Sequence, residues 1–323
     1  MVTRTDNDKI VIEENELSEA LNEAESGSPA SGHAVRDYFG TDEIFSRVVA
    51  SADEEFGKSW RLLYFSGVAA GLSIGLSFLS RAAVTAEVMP DGSALIGNLI
   101  YPIGFMLIVL GRYQLFTENT LTPVTLVLTR IASVPMLLSN WGVVLAGNLT
   151  GAMLMGLVMA TSGVLGAESA EVAASFGEHG LALSWGTLFT KAIVAGWIVA
   201  SMVWLVHAAQ DTISRIVIVF LLMFLIPSAD LFHCIIGACE VFYMVFEGLA
   251  TLPDGLFNFF LPVLLGNTLG GVTLVAILNF AQTSENLIPE GHENARRLTL
   301  NEWLTGFYRY GVETPEDAEK KAA

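Results

Sequence analysis

Two long apolar segments of this chain are each interrupted by a short polar stretch. The first segment covers residues 94–128 and is interrupted at 111–123, and the second covers 213–248 and is interrupted at 227–233. Unwound backbone is tolerated at membrane depth only where protein or a water-filled cavity covers it. A broken helix in each half of a membrane protein therefore indicates a place where a solute crosses.

Six apolar runs are long enough to cross a bilayer, which takes about 20 residues in an α-helix. The chain still carries a net charge of −17, because most of its acidic residues lie outside these runs: of 33 Asp and Glu, 14 fall in residues 1–57 and 8 in residues 283–323. The pattern predicts an all-α membrane protein with an acidic cytoplasmic tail at 1–57, a transmembrane channel domain at 58–282 and a second cytoplasmic tail at 283–323. The predicted spans are 63–86, 94–128, 134–161, 185–208, 213–248 and 256–281.

The positive charges predict how this domain is oriented. Thirteen of the 16 Lys and Arg precede the first span, follow the last one, or lie in the loops after spans two and four, which all share one side in a six-span protein. Only Arg81 falls on the other side, while Arg112 and Lys191 lie within spans. Since positively charged loops face the cytoplasm, both termini are expected to be cytoplasmic.

Residues 41–56, just before the first span, have the pattern of an amphipathic helix. Ile44, Phe45, Val48 and Val49 fall on one helical face. Such a helix is expected to lie at the inner membrane interface. Binding of a partner is the less favoured alternative.

Two pairs of motifs indicate an internal repeat. Leu-Phe-Thr at 115–117 and Leu-Phe-His at 231–233 lie in the two interruptions, 116 residues apart. Gly-Asn-x-x-Gly occurs at 147–151 and again at 266–270, 119 residues later. Three spans separate the equivalent positions, and this odd number predicts two halves of opposite orientation in the membrane. The glycines allow close helix packing, and the asparagines can hydrogen-bond across helices or to unwound backbone.

With these motifs the chain resembles the formate/nitrite transporter family over roughly residues 55–282. That family carries Leu-Phe-Thr in a broken second helix, a central His in a broken fifth helix, and Gly-Asn-x-x-Gly in the third and sixth. The resemblance implies an aquaporin-like protomer of six transmembrane helices in a homopentamer with one pore per protomer, in the cytoplasmic (inner) membrane of a prokaryote. It implies passage of small monovalent anions or their weak acids, such as formate, nitrite or hydrosulfide. The pathway residues that it implies are Leu115, Phe116, Thr117, Asn119, Asn148, Phe232, His233 and Asn267.

The chain departs from the family pattern at several charged positions. Glu118 follows Leu-Phe-Thr where the family usually has a small residue, and Arg112 and Tyr113 replace small residues before it. The Lys of the family's outer vestibule, expected near Gly180, is absent, and Lys191 lies about three turns deeper. These departures indicate a divergent subgroup and leave the choice among the anions open.

Ionisable side chains at mid-membrane cost ~2.5–3.5 kcal/mol on insertion scales and are therefore expected in pairs. We expect Arg112 to pair with Glu118 across the first interruption, and Lys191 to pair with Glu240 between spans four and five. An equally weighted alternative is that these pairs only lock helices together. Glu240 follows His233 by seven residues, so both lie on one face of a helix.

His233 is the residue most expected to act in transport. An imidazole changes charge near neutral pH, and the amides of a broken helix attract anions. A passing anion is expected to draw a proton from His233 or its water network, and to cross apolar constrictions built by Phe116 and Phe232 as the neutral acid. The alternatives are that His233 is only a hydrogen-bond partner and that the phenylalanines only pack.

The leading hypothesis is a channel or transporter for small monovalent anions or their weak acids, whose partners are the anion, protons, the bilayer and further copies of the chain. Two alternatives stay open. One is an aquaporin-like channel for neutral solutes, against which the dense intramembrane charge argues. The other is a non-conducting sensor or scaffold. No catalytic constellation, metal-ligand spacing, cofactor fingerprint or nucleic-acid motif appears, so neither an enzyme nor a cofactor is expected.

Overall fold

The computed structural model describes residues 39–88, 94–283 and 297–307, and these residues form helices and turns without a strand. Most of the predicted tails, at 1–38, 284–296 and 308–323, lies outside the described residues. The helices are α1 Thr41–Gly57, α2 Trp60–Val88, α3 Leu95–Ile100, α4 Ile103–Gly111, α5 Thr122–Leu128, α6 Val134–Thr161, α7 Ala167–Ala182, α8 Trp185–Ala208, α9 Thr212–Ser228, α10 Cys234–Phe246, α11 Leu252–Ala281 with wider π turns at Gly255–Phe260 and Val272–Ile277, and α12 Leu300–Thr305.

Four of these helices, α2, α6, α8 and α11, are long and apolar enough to cross a membrane. Shorter apolar helices flank the two predicted interruptions: α4 ends at Gly111 before α5 begins at Thr122, and α9 ends at Ser228 before α10 begins at Cys234. A 3-10 turn at Glu118–Thr120 occupies part of the first gap. The all-helical membrane class is confirmed, while six crossings with two composite spans stay a prediction.

The internal repeat is visible in two tightly packed helix pairs, α2 with α6 and α8 with α11. A side chain on Gly71 of α2 would overlap the carbonyl oxygen of Asn148, and one on Gly196 of α8 would overlap the carbonyl oxygen of Asn267. Glycine is required at both crossings because the backbones meet there without room for a Cβ. The Gly-Asn-x-x-Gly motifs therefore bring each asparagine against an equivalent neighbouring helix.

The amphipathic segment before the first span is helix α1, and its apolar face packs on protein. Phe45, Val48 and Val49 are fully buried, and the Phe45 ring lies 5.7 Å from the ring of Phe280 at the end of α11. Helix α1 contacts α5 and α8 as well. The segment that was expected to cover the bilayer interface thus covers one end of the helix bundle.

The short helix α12 is held at the same end. Its first turn has a capping box formed by Thr299 and Glu302. The indole Nε1 of Trp303 donates to the carbonyl of Val127, 2.8 Å away, at the end of α5. Both described terminal segments therefore dock around α5.

Candidate functional site

Thr117 and His233 meet in the middle of the protein. Thr117 Oγ1 lies 2.7 Å from His233 Nε2, and the two residues are 1% and 2% exposed. His233 precedes α10, and its Nδ1 accepts a hydrogen bond from the backbone N–H of Ile236 at 3.4 Å. A neutral imidazole with Nδ1 as acceptor carries its proton on Nε2, so His233 donates to Thr117. The hydroxyl hydrogen of Thr117 is then left to donate elsewhere.

Aromatic rings surround this pair. The Phe105 ring stands edge-on to the imidazole at 5.0 Å. Phe116 is buried against Trp141, with ring centroids 5.7 Å apart, while half-buried Phe232 contacts Phe259 at the same separation. The Phe105 ring thus covers part of the imidazole, which also borders the small cavity described below.

Asn148 grips the backbone of the first interruption. Its Oδ1 accepts from the N–H of Phe116 at 2.8 Å, and its Nδ2 donates to the carbonyls of Gln114 at 2.8 Å and Gly67 at 2.9 Å. One amide side chain therefore ties the unwound segment to α2 and α6. It satisfies three backbone groups that water cannot reach.

Asn267 grips the second interruption in the same way. Its Oδ1 accepts from the N–H of Cys234 at 2.8 Å, and its Nδ2 donates to the carbonyls of Phe232 at 3.0 Å and Ala192 at 2.8 Å. The predicted role of both asparagines in bonding unwound backbone is present in the structure. They act by holding the chain rather than by lining either of the cavities described below.

The hydrogen bonds of Asn148 and Asn267 show which residues of the two interruptions are equivalent, and they correct the alignment of the internal repeat. Phe116 and Cys234 occupy equivalent places, as do Gln114 and Phe232, and both pairs are 118 residues apart. The Leu-Phe motifs are 116 residues apart, so pairing them was wrong by two positions. In the structural register the counterpart of His233 is Leu115, and not Thr117. Both asparagines bond to backbone groups, so the residues at equivalent positions need not have similar side chains. The two similar Leu-Phe sequences therefore do not occupy equivalent positions.

Asn119 and Leu115 also lie inside the first interruption. Asn119 Nδ2 donates to Gln114 Oε1 at 3.1 Å, and its carbonyl accepts from Trp141 Nε1 at 2.8 Å. Leu115 is fully buried. Neither residue lines the two cavities described below, nor does Phe116, whereas Phe232 and His233 line one of them.

The expected pair of Arg112 with Glu118 is wrong. Arg112 ends α4 in the left-handed conformation, at φ 55°, and its guanidinium reaches Glu54 of α1 at 2.7 Å. Glu118 instead begins the 3-10 turn, and its Oε1 is buried without a hydrogen-bond partner. The turn separates the two side chains, a geometry that sequence spacing does not reveal.

The expected pair of Lys191 with Glu240 is also wrong. Lys191 Nζ donates to Asp230 at the second interruption, at 2.7 Å to Oδ2 and 2.9 Å to the carbonyl oxygen. Asp230 adopts a left-handed conformation, at φ 53°, and its other carboxylate oxygen lies 2.9 Å from His179 Nε2 on α7. Because this turn provides Lys191 with two hydrogen-bond acceptors, Lys191 pairs with Asp230 and not with Glu240.

Exposure limits the strength of the Lys191–Asp230 pair. The two side chains are 27% and 51% exposed, and partly solvated pairs of this kind contribute about 0.2–1 kcal/mol. In a double-mutant cycle with Lys191→Met and Asp230→Asn, we expect a coupling free energy in that range from thermal unfolding in detergent. Asn tolerates the left-handed conformation. A coupling of several kcal/mol would contradict a screened pair, and a coupling of zero would contradict the contact.

A small cavity of about 50 Å³ opens beside His233. Arg81 of α2 lies at its wall, with Nε donating to Asn98 Oδ1 at 2.9 Å and the guanidinium 3.9 Å from the Phe176 ring. Arg81 was not among the predicted site residues, although it was the only cation on its side of the predicted membrane. Arg81, Tyr101, Phe176, His179, Pro227, Asp230, Leu231, Phe232, His233, Ile236, Gly237 and Glu240 line this cavity.

A larger cavity of about 720 Å³ lies beside α1 and the first interruption. Gln114 and Glu118, on either side of Thr117 in the chain, contribute to its wall. His233 lines the small cavity, and Thr117 lies in the chain between two residues that line the large one. The charged residues lining the large cavity include Arg47, Glu54, Glu55, Lys58, Arg112, Glu118 and Arg215.

Glu55 is the carboxylate that α1 turns into this cavity. Burial raises the pKa of Glu55 to about 7 from an ordinary 4.5, and the hydrogen bond that Thr122 Oγ1 donates at 3.0 Å partly opposes the rise. The nearby carboxylate of Glu118 interacts with it electrostatically. At neutral pH this side chain is therefore close to half protonated.

The raised pKa of Glu55 predicts a pH-dependent cost to docking α1. An acid with a higher pKa in the folded state stabilises the fold below its unfolded pKa, and this contribution is lost as the pH rises from about 4.5 through 7. We expect Glu55→Gln to raise the midpoint of thermal unfolding at pH 8 and to leave it nearly unchanged at pH 5. Glu54→Gln, at the exposed neighbour, is the control. A gain for Glu55→Gln that is equal at both pH values would refute the explanation.

Comparison with known proteins places this arrangement in a family. The family model described as Formate/nitrite transporter matches residues 42–281. The inner membrane protein YfdC of Escherichia coli K12 is 31% identical over 90% of this chain and 94% of its own. The formate channel FocA of Haemophilus influenzae is 24% identical over 67% of this chain and 84% of its own.

Solved structures share the fold. A pentameric formate channel with formate bound matches 69% of this chain and 96% of its own, with a TM-score of 0.58 and 23% identity. An ion channel of the same family matches 76% of this chain and 100% of its own, with a TM-score of 0.63 and 20% identity. The chain therefore belongs to the formate/nitrite transporter family.

Proposed function

We propose that this protein conducts small monovalent anions or their weak acids, of the formate, nitrite or hydrosulfide type, past Thr117 and His233. The observation that carries this proposal is the buried hydrogen bond between Thr117 Oγ1 and His233 Nε2. His233 also lines the small cavity, and Gln114 and Glu118, close to Thr117 in the chain, line the large one. In this proposal the two cavities are the water-accessible approaches, and the buried pair is where an ion has to lose its hydration.

Proton transfer lowers the cost of that central step. A bare anion among apolar rings is far less stable than the corresponding neutral acid, because charge is penalised in a medium of low dielectric constant. The Nε2–H of His233 donates to Thr117 Oγ1, which leaves the hydroxyl hydrogen of Thr117 directed to the passing solute. When His233 takes a proton from the water of the small cavity, its Nε2–H bond breaks and that proton passes to Thr117 Oγ1, while the hydroxyl proton of Thr117 passes to the anion, so that the solute passes the rings as the neutral acid.

Positive side chains line both approaches. Arg81 lines the small cavity, and four Lys and Arg line the large one. A cleft lined with one sign of charge raises the local concentration of the opposite ion. Both cavities also hold carboxylates, so each is mixed rather than purely cationic, and each arginine or lysine acts as a local binding group for an anion.

Purified protein in liposomes tests this function against the two alternatives. We expect uptake of formate, nitrite and hydrosulfide, faster at acidic than at alkaline external pH, and alkalinisation outside as protons enter with the anion. Glycerol permeation equal to that of formate would favour a neutral-solute channel. Absence of flux for every solute would favour a sensor or scaffold.

We further propose a homopentamer with separate pores, in the cytoplasmic membrane of a prokaryote with both termini inside. The support is the pentameric formate channel with its related fold, and the docking of α1 and α12 at one end of the bundle. We expect native mass measurement in mild detergent to give five copies of the 34.7 kDa chain. A stable monomer or tetramer would contradict this assembly.

A further inference from the structure

We propose that Arg81 and Glu240 form the site where a permeating anion receives its proton, with Arg81 binding the anion and Glu240 donating the proton. This inference rests on the proposed anion pathway and adds a proton donor that is separate from His233. It assigns a role to Arg81 and Glu240, two charged residues of the small cavity that the central pair does not use.

The geometry places Glu240 beside the pathway. Glu240 follows His233 by two turns of α10, is 6% exposed, and lines the same cavity as His233 and Arg81. Glu240 and Arg81 interact electrostatically. An acid at this depth is costly unless it has a charged partner or a function.

Arg81 is held in place by contacts that leave charge available to the cavity. Its Nε is bonded to Asn98, and the ring of Phe176 covers one face of the guanidinium. The terminal nitrogens of a guanidinium can then donate to a small anion, as arginine does with carboxylates. Among the described residues that line this cavity, Arg81 is the only Lys or Arg.

The titratable groups near Glu240 lie on α2, the turn before α4, α7, the second interruption and α10, and they are Arg81, Tyr101, His179, Asp230, His233 and Cys239. Of the two carboxylates that line this cavity, Asp230 is engaged by His179 and Lys191. Glu240 is therefore the carboxylate that remains beside Arg81.

Proton donation at this pair keeps the charge of the cavity constant. In the empty state the Glu240 carboxylate balances Arg81. When Glu240 is protonated from the outer water, an anion takes its place against the guanidinium. The carboxyl O–H bond then breaks and a new O–H bond forms on a formate oxygen, which leaves formic acid and the Glu240 carboxylate. The restored carboxylate displaces the neutral acid toward Thr117.

The size of the cavity indicates the class of substrate. About 10–15 Å³ suffices for one water molecule, so about 50 Å³ accommodates on the order of four waters or one anion of three or four heavy atoms. Formate, nitrite and hydrosulfide fit this limit. Larger carboxylates such as benzoate exceed it.

The decisive experiment measures formate uptake and proton uptake together in liposomes. Glu240→Gln keeps the shape of a protonated Glu but has no proton to give. We expect the rate of proton-coupled uptake to fall by at least about tenfold. For comparison, a general acid in an enzyme contributes about a hundredfold or more to the rate. The apparent KM for formate is expected to stay equal or fall, since Arg81 loses its competing carboxylate. Arg81→Gln is expected to raise that KM instead.

Glu247→Gln is the matched control, because it makes the same change at an exposed position seven residues further along the chain. It is expected to leave rate, KM and proton stoichiometry unchanged. Elution volume and thermal midpoint report whether each variant assembles. If Glu240→Gln fails to assemble, Glu240→Asp replaces it: a shifted pH midpoint of uptake supports the proposal, and an unchanged one contradicts it.

The outcomes separate this inference from the proposed function. If the parent transports formate with protons and Glu240→Gln retains the parent rate and pH profile, the donor role of Glu240 is wrong while the pathway stands. If the parent transports no anion at all, both proposals fail. A loss of proton coupling in Glu240→Gln with His233 and Thr117 intact supports the separate donor.

Discussion

Replacing Asn148 or Asn267 with leucine is expected to remove most of the correctly assembled protein. Each substitution leaves one backbone N–H and one backbone carbonyl of an interruption without their partner in a buried place, while the carbonyls of Gly67 and Ala192 keep their bonds within their helices. A buried polar group that loses its partner costs about 1–3 kcal/mol. Two such groups cost about 2–6 kcal/mol, which is a large part of the stability of an ordinary domain, about 5–15 kcal/mol.

Thr268→Val is the control for this prediction. Thr268 follows Asn267 directly, but its hydroxyl only bonds the carbonyl of Leu264 within the same helix. We expect a thermal midpoint close to that of the parent for the control, and a large loss of monodisperse protein for either asparagine variant. If Asn148→Leu and Asn267→Leu fold as well as Thr268→Val, the two interruptions do not depend on these grips.

Replacing His233 with asparagine is expected to weaken the coupling of anion passage to protons. Asn preserves hydrogen bonding and similar bulk, but it does not titrate. The variant should assemble like the parent and change the pH dependence of formate flux, and a conductive anion current should appear. Electrical recording across a planar bilayer, beside the liposome assay, measures both changes.

Two substitutions of Thr117 sharpen this prediction. Thr117→Ser keeps the hydroxyl that meets His233 Nε2, so parent-like flux is expected. Thr117→Val removes it and should slow flux by an order of magnitude or more, since a positioned proton donor contributes about 10²–10⁴-fold. If His233→Asn overlays the parent curve of flux against pH, His233 is only a structural hydrogen-bond partner.

Hydrophobic length and polar residues inside apolar runs sufficed to predict the helical membrane class, whereas the family resemblance was what placed Thr117 and His233 together in the pathway. The asparagines at 148 and 267 were predicted to bond unwound backbone, and they do. These features are local in sequence or fixed by helix periodicity. Predictions made from such features do not depend on the details of tertiary packing.

The charge pairs could not be predicted because they depend on turns. Arg112 and Asp230 both adopt left-handed conformations, which redirect one side chain to α1 and the other to Lys191. Separation along the chain carries no information about such a redirection. The role of α1 was missed for a related reason: an amphipathic face indicates an apolar contact without telling lipid from protein.

The two-residue difference between motif register and structural register has a consequence for direction. If His233 and Thr117 were equivalent by symmetry, each half of the pore would present the same chemistry to a solute from its own side. Instead an imidazole stands where the other half has Leu115. A solute that enters the cell then meets the imidazole and the apolar Leu115 in the opposite order from a solute that leaves it. Equal and opposite gradients are therefore expected to drive unequal currents, so that the protein rectifies.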